Sequence, residues 1–192
     1  YWEHNTHPTL VHVQRDEDRR GPGWARNQAI ATLYDAGCDI ICLFDDDARP
    51  IRPGWQDHIL ASPGWDHLVL HNPAFPLERT AEGLAITQFG IGAFYALTRQ
   101  AVETVGYFSA AFTGYGFEDV HYRHRLARAH GGNLTLTDLT DWVESDDLNK
   151  PDGFDQWANM TQPEKDAHIA RNAPVYRAEL ANPRLYRDRN GK

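Results

Sequence analysis

"CDIICLFDDDARP", residues 38–50, runs an apolar stretch of strand length straight into three consecutive carboxylates. The uninterrupted apolar run of residues 39–44 predicts a strand covered on both faces, as in parallel sheets with helices above and below. Neighbouring carboxylates repel, and each raises the pKa of the others unless something positive sits among them. Asp45, Asp46 and Asp47 therefore form either a solvated turn or a cation site. Along extended chain Asp45 and Asp47 project to one side and Asp46 to the other. Such an Asp-x-Asp pair suits Mg²⁺ or Mn²⁺, which takes one or two carboxylates and leaves its other positions to water and substrate oxygens. The carboxyl end of a strand is also where open α/β sheets bind ligands.

Before this stretch, residues 9–14, "TLVHVQ", alternate apolar and polar and predict another strand. Ala25, Ala29, Ile30, Leu33 and Ala36 then recur at helical spacing, and Gly37 supplies the stop. Strand, helix, strand is the βαβ unit of an α/β fold. After the aspartates, "GWQDHILA" predicts a short helix and "DHLVLHN" a strand. "LAITQFGIGAFYAL" reads as strand material broken at Gly90 and Gly92. Thr98 is placed to cap a helix carrying Ala101, Val102 and Val105 and ended by Gly106. "FTGYGFEDV" leads into a helix over residues 118–130 closed by Gly131 and Gly132, and "NLTLTDLTDWV" alternates as a strand. The tail is polar and proline-punctuated, with helical pattern around residues 162–171. The expectation is one α/β domain over residues 1–192, with a mixed sheet flanked by helices, a core of about residues 9–146 and a tail over 147–192.

At 192 residues with 41% apolar and 24% charged side chains, the composition is that of a globular protein able to bury a sizeable core. The net charge of −8 argues against non-specific nucleic-acid binding, which cationic side chains drive. No window approaches eighteen consecutive apolar residues and no charged-then-apolar leader is present, so neither a membrane span nor export is expected. Cys38 and Cys42, placed on one strand, would have Cα atoms roughly 13 Å apart, too far for a disulfide. They read as buried thiols, which suits a reducing, cytoplasmic setting. His121 and His124 share a helix face without a third ligand nearby in sequence and read as surface residues.

Glu118 and Asp119 open a predicted helix, where the positive end of the helix dipole favours anions. Capping alone would explain them. It leaves unexplained the "TGYG" before them, whose two glycines around Tyr115 suit a segment closing over a substrate. A carboxylate at the base of such a segment is placed to act as a general base.

With both acidic motifs in place, the chain resembles the GT-A glycosyltransferases, specifically the inverting family 2 type and the galactosyl- and N-acetylgalactosaminyl-transferase modules of bacterial polysaccharide polymerases. The resemblance runs from about Val11 to Asp146 through "GWARNQAI", "CDIICLFDDDARP" and the stretch from "GIGAFYAL" to "FEDVHYRHRLARAHGG". It implies a divalent metal ion, Mn²⁺ or Mg²⁺, a nucleoside-diphosphate sugar donor, with UDP as the expected nucleotide, and a hydroxyl acceptor on a glycan. It also implies roles. Asp119 would be the catalytic base and Glu118 would orient the acceptor. Arg26, Asn27, Asp45 and Asp46 would lie on the donor side, with Asp47 and Asp45 on the metal. Tyr115 and Gly116 would belong to the acceptor lid, and Trp142 is a candidate to stack on a sugar or a base.

The chain departs from this family in two places. Two further strands usually precede the one at residues 9–14 and bind the nucleotide base; here they are lacking. Either the beginning is missing, a second chain completes the donor site, or the donor is held differently. A histidine usually follows the Glu-Asp helix as a metal ligand, whereas this chain has "WVESDD", leaving Glu144 or Asp146 as substitutes. Two other functions compete: a catalytically inactive GT-A-like module that binds a glycan or a protein, and a nucleotidyltransferase. The second would carry a glycine-rich loop with Lys or Arg after its first strand, which "RRGPGWAR" only faintly imitates.

Overall fold

The computed structural model describes residues 20–46, 48–61, 65–71, 76–79, 81, 85–87, 90–114, 116–129, 131–132, 134–137, 142–145, 161–181, 186 and 190–191. The strand expected at residues 9–14 lies outside them. Among the described residues, five helices and eight strands are arranged in a mixed α/β fold. Helix α1 (Pro22–Asp35) starts with proline at its first position, where the missing N–H costs nothing. Strand β1 (Ile40–Phe44) follows, then β2 (Ala48–Pro50), α2 (Trp55–Ala61), β3 (His67–His71), β4 (Glu78–Arg79), β5 (Ala85–Thr87) and β6 (Gly90–Thr98).

The Thr98 hydroxyl accepts from the Ala101 N–H at 3.1 Å, capping α3 (Arg99–Val105) as the sequence predicts. Gly106, at φ 77°, ends it. Helix α4 (Glu118–Ala129) is followed by β7 (Leu134–Thr137), β8 (Val143–Ser145) and α5 (Gln162–Ala181). The single strand expected in "NLTLTDLTDWV" is thus two strands in two different sheets. In the tail, the helix continues past residue 171 and through Pro174 to Ala181.

Six strands form one sheet in the order β1-β6-β3-β7-β5-β4, and β2 pairs with β8 in a second. Among the described residues β1 pairs only with β6, and antiparallel, with Cys42 opposite Ala96. Among the described residues only β3 and β7 run parallel in that sheet, which is mixed as expected; the parallel neighbour expected for β1, at residues 9–14, lies outside them. The burial of β1 alternates, Ile41 and Leu43 being buried and their neighbours half-exposed. Cys38 lies before the strand rather than on it. Both thiols are free and half-buried, and burial pushes the Cys42 thiol up to about 12.

Strand β6 is buried from Gly90 to Leu97 and divides the core. Tyr95 and Leu97 point to one face, where Ile30 of α1, Val102 of α3 and Tyr122 and Leu126 of α4 join them. Phe94 and Ala96 point to the other, with Ile59, Leu68, Leu70 and Val143. Phe108 and Tyr122 stack at 4.0 Å, and Tyr95 meets both edge-on. No helix among the described residues is long and apolar enough to cross a membrane. The consequence for function is positional: the end of β1, the start of β6 and the start of α4 share one edge.

Candidate active site

At that edge the Asp45 N–H donates to the Ala93 carbonyl at 2.9 Å, which fixes where β1 ends beside β6. Arg26, from the second turn of α1, reaches across and donates from Nη2 to both Asp45 oxygens, at 2.6 and 2.7 Å. Its Nη1 lies 3.7 Å from Glu118 Oε1. Asp119 lies against the bare backbone of Gly92. A Cβ there would stand 2.9 Å from the Asp119 carboxyl carbon, closer than real Cβ contacts come. Arg123, one turn along α4, donates from Nη2 to Asp119 Oδ2 at 3.0 Å and from Nη1 to the Gly90 carbonyl. Two guanidinium groups thus stand among three carboxylates, brought from α1, β1 and α4.

The electrostatics follow from burial. Glu118 is 8% exposed, and desolvation, joined by the charge of Asp119, lifts its pKa to about 7 against the opposing pull of Arg26. Burial disfavours the Arg26 charge, but Asp45, Tyr95 and Asp119 outweigh it and hold the guanidinium above its ordinary pKa. Arg26 Nη1 and Glu118 Oε2 are both buried without a hydrogen-bond partner among the described residues. Buried polar atoms are ordinarily paired, which makes these two exceptions in the charged cluster.

Of the residues singled out from sequence, Arg26, Asp45, Glu118 and Asp119 converge. Asp46 is exposed in the turn that follows β1. Asn27 is 1% exposed, and its side-chain amide exchanges hydrogen bonds of 3.0 and 2.7 Å with the backbone of Phe108; it bolts α1 to the core. Trp142 stacks on His58 of α2 at 4.9 Å, on the other face of the sheet. Glu144 pairs with Arg49 across β2 and β8. The Gly116 carbonyl accepts from Asn172 of α5 at 2.9 Å. Asp47, Tyr115 and Asp146 lie outside the described residues.

No three His, Cys, Asp or Glu side chains are grouped for a metal ion among the described residues. Of the expected ligands only Asp45 and Glu144 are described, and each faces an arginine. As placed, these two do not make a cation site.

Gly92 and Arg123 escaped the sequence reading. Arg123 stands four residues after Asp119, a spacing that brings helix side chains together and could have flagged it. Gly92, expected to break its strand, lies inside β6, which runs unbroken through it. His121, read as a surface residue, is buried under α5. Family models, curated proteins and solved structures were all compared with the chain, and none matches it.

Proposed function

We propose that this protein transfers a sugar from a nucleoside-diphosphate donor to an acceptor hydroxyl with inversion, in a GT-A-like domain. The observation that carries the reading is the convergence of Arg26, Asp45, Glu118 and Asp119 from three separate segments onto one sheet edge. In this proposal Asp119 takes the proton from the acceptor hydroxyl as its oxygen attacks the anomeric carbon. The bond from that carbon to the diphosphate breaks, and its electron pair leaves with the diphosphate. Arg123 fixes the Asp119 carboxylate against Gly92. Glu118, with a pKa near neutrality, carries a proton part of the time and orients the acceptor oxygen. Arg26, whose Nη1 makes no hydrogen bond among the described residues and stands near Glu118, offers its charge to a donor oxygen. Holding both partners in line supplies much of the rate.

The divalent ion expected with such a donor would be held through Asp47 and would offset the charge growing on the departing diphosphate. The test is a screen of nucleotide-sugars, with UDP-sugars first, with and without Mn²⁺. Asp119→Asn should lower transfer by three orders of magnitude or so while donor binding and melting temperature hold, general-base loss alone accounting for roughly 10²–10⁴-fold. Retention of most activity by that variant would remove Asp119 from the role. One observation favours a non-catalytic binding module instead: both Asp45 oxygens are already engaged by Arg26. Calorimetry with UDP and Mn²⁺ separates the two, because the module would give no metal-dependent nucleotide binding.

A further inference from the structure

Helix α4 turns a second face away from Glu118 and Asp119, toward α5. There His121, His124, Arg125 and Arg128, with Glu179 and Leu180 of α5, line a cavity of about 360 Å³. That size suits a compact ligand of one ring, at the lower end of small-molecule sites. His121 is 1% exposed and Arg125 7%, yet His121 Nδ1 and Arg125 Nε have no hydrogen-bond partner among the described residues.

Arg125 is held still. Its Nη1 donates to the Val105 carbonyl at 2.7 Å and its Nη2 to the Tyr107 carbonyl, so Nε is the donor left over. The rings of Tyr122 and Tyr186 lie 5.1 and 4.7 Å from the guanidinium. Arg128 is exposed at the rim and pairs with no other described residue. Glu179, the one carboxylate among the lining residues, accepts from the Tyr186 hydroxyl. It stands 3.9 Å from His121 Nε2, too far for a hydrogen bond. Burial and the charge of Arg125 keep the His121 ring neutral, with its pKa near 3. Two guanidinium charges therefore line the cavity beside one engaged carboxylate.

We infer that this cavity binds a small oxyanion-bearing molecule of about the size of a hexose. Its phosphate or carboxylate is received at the mouth by Arg128, with the buried Arg125 charge behind it. Leu180 and Ala127 supply the apolar wall. The site needs nothing from Asp119, so it stands or falls apart from the transferase reading.

The test is amide NMR titration of the full chain at fixed ionic strength, with glucose 6-phosphate, glucuronate, inorganic phosphate and neutral glucose as probes. At least one anionic sugar should bind saturably, with shifts centred on residues 121–132 and 176–181, and about tenfold more tightly than glucose, as expected for one charged hydrogen bond. The phosphate and carboxylate arms separate the two sources of the oxyanion. Arg128→Ala should weaken binding about tenfold, and Leu180→Trp, which fills the cavity, should abolish it, both with the fold intact by NMR. Asp119→Asn should bind the probe as the parent does. Absence of saturation, shifts centred elsewhere, or equal affinity in Arg128→Ala and Leu180→Trp would each overturn the proposal.

Discussion

Gly92 is the residue on which the acidic pair rests. A side chain there would occupy the space of the Asp119 carboxyl group. Gly92→Ala should therefore push Asp119 off its contact with Arg123, reduce transfer at least as much as it disturbs folding, and cost about 1–3 kcal/mol as an overpacked site. Thermal melts beside initial rates will show whether activity falls further than stability does. Glu118 makes a second case. Its folded pKa near 7 lies above the ordinary 4.5, so folding favours its protonated form. Its contribution is most favourable below about pH 4.5 and is lost as pH rises through 7. The full loss is on the order of 3 kcal/mol. Glu118→Gln should flatten that fall, leaving the variant more stable than the parent at pH 8 in denaturant titrations and little different at pH 5.

Helix α5 acts on the site through the segment before α4. Arg171 donates to the Thr113 carbonyl at 2.6 Å, and Asn172 to the carbonyls of Thr113 and Gly116 at 3.3 and 2.9 Å. The Phe117 ring packs against Tyr176 at 4.9 Å. The "TGYG" stretch expected to close over a substrate is thus tied down on both sides of residue 115. Asn172→Ala should speed amide exchange in residues 113–118 about tenfold or more, as the loss of hydrogen bonds worth about 1 kcal/mol each implies. Exchange in β6 should stay unchanged. A uniform rise across the molecule would mean that α5 only stabilises the whole.

Phe108 connects the parts that build the site. Its backbone holds Asn27 of α1, and its ring stacks on Tyr122 of α4 and meets Tyr95 of β6. It is fully buried. Phe108→Ala should cost about 3–5 kcal/mol and lower the denaturation midpoint in a single transition. These connections also explain what could be read from the chain alone. Helices α1, α3 and α4 were readable because their period, caps and glycine stops are local signals. Asp45, Glu118 and Asp119 were legible because each sits where an element begins or ends, whereas Arg26, inside α1, came only with the resemblance. The antiparallel pairing with β6 was not readable: residues 39–44 are apolar whichever way a neighbour runs. His121 looked like surface because the tail that buries it is polar and carries Pro174, so its packing face gave little periodic signal.

Phe117 alone among the described non-glycine residues has positive φ, at 75°, one position before Glu118. At that point the backbone has the twist that suits a residue of opposite handedness, while the ring on Tyr176 requires a large side chain. Glycine or asparagine would relax the torsion and lose the ring; another bulky L-residue keeps the conflict. An aromatic residue of mirror-image hand satisfies both demands, so the chain enters α4 through a stereochemical mismatch that no encoded aromatic residue resolves.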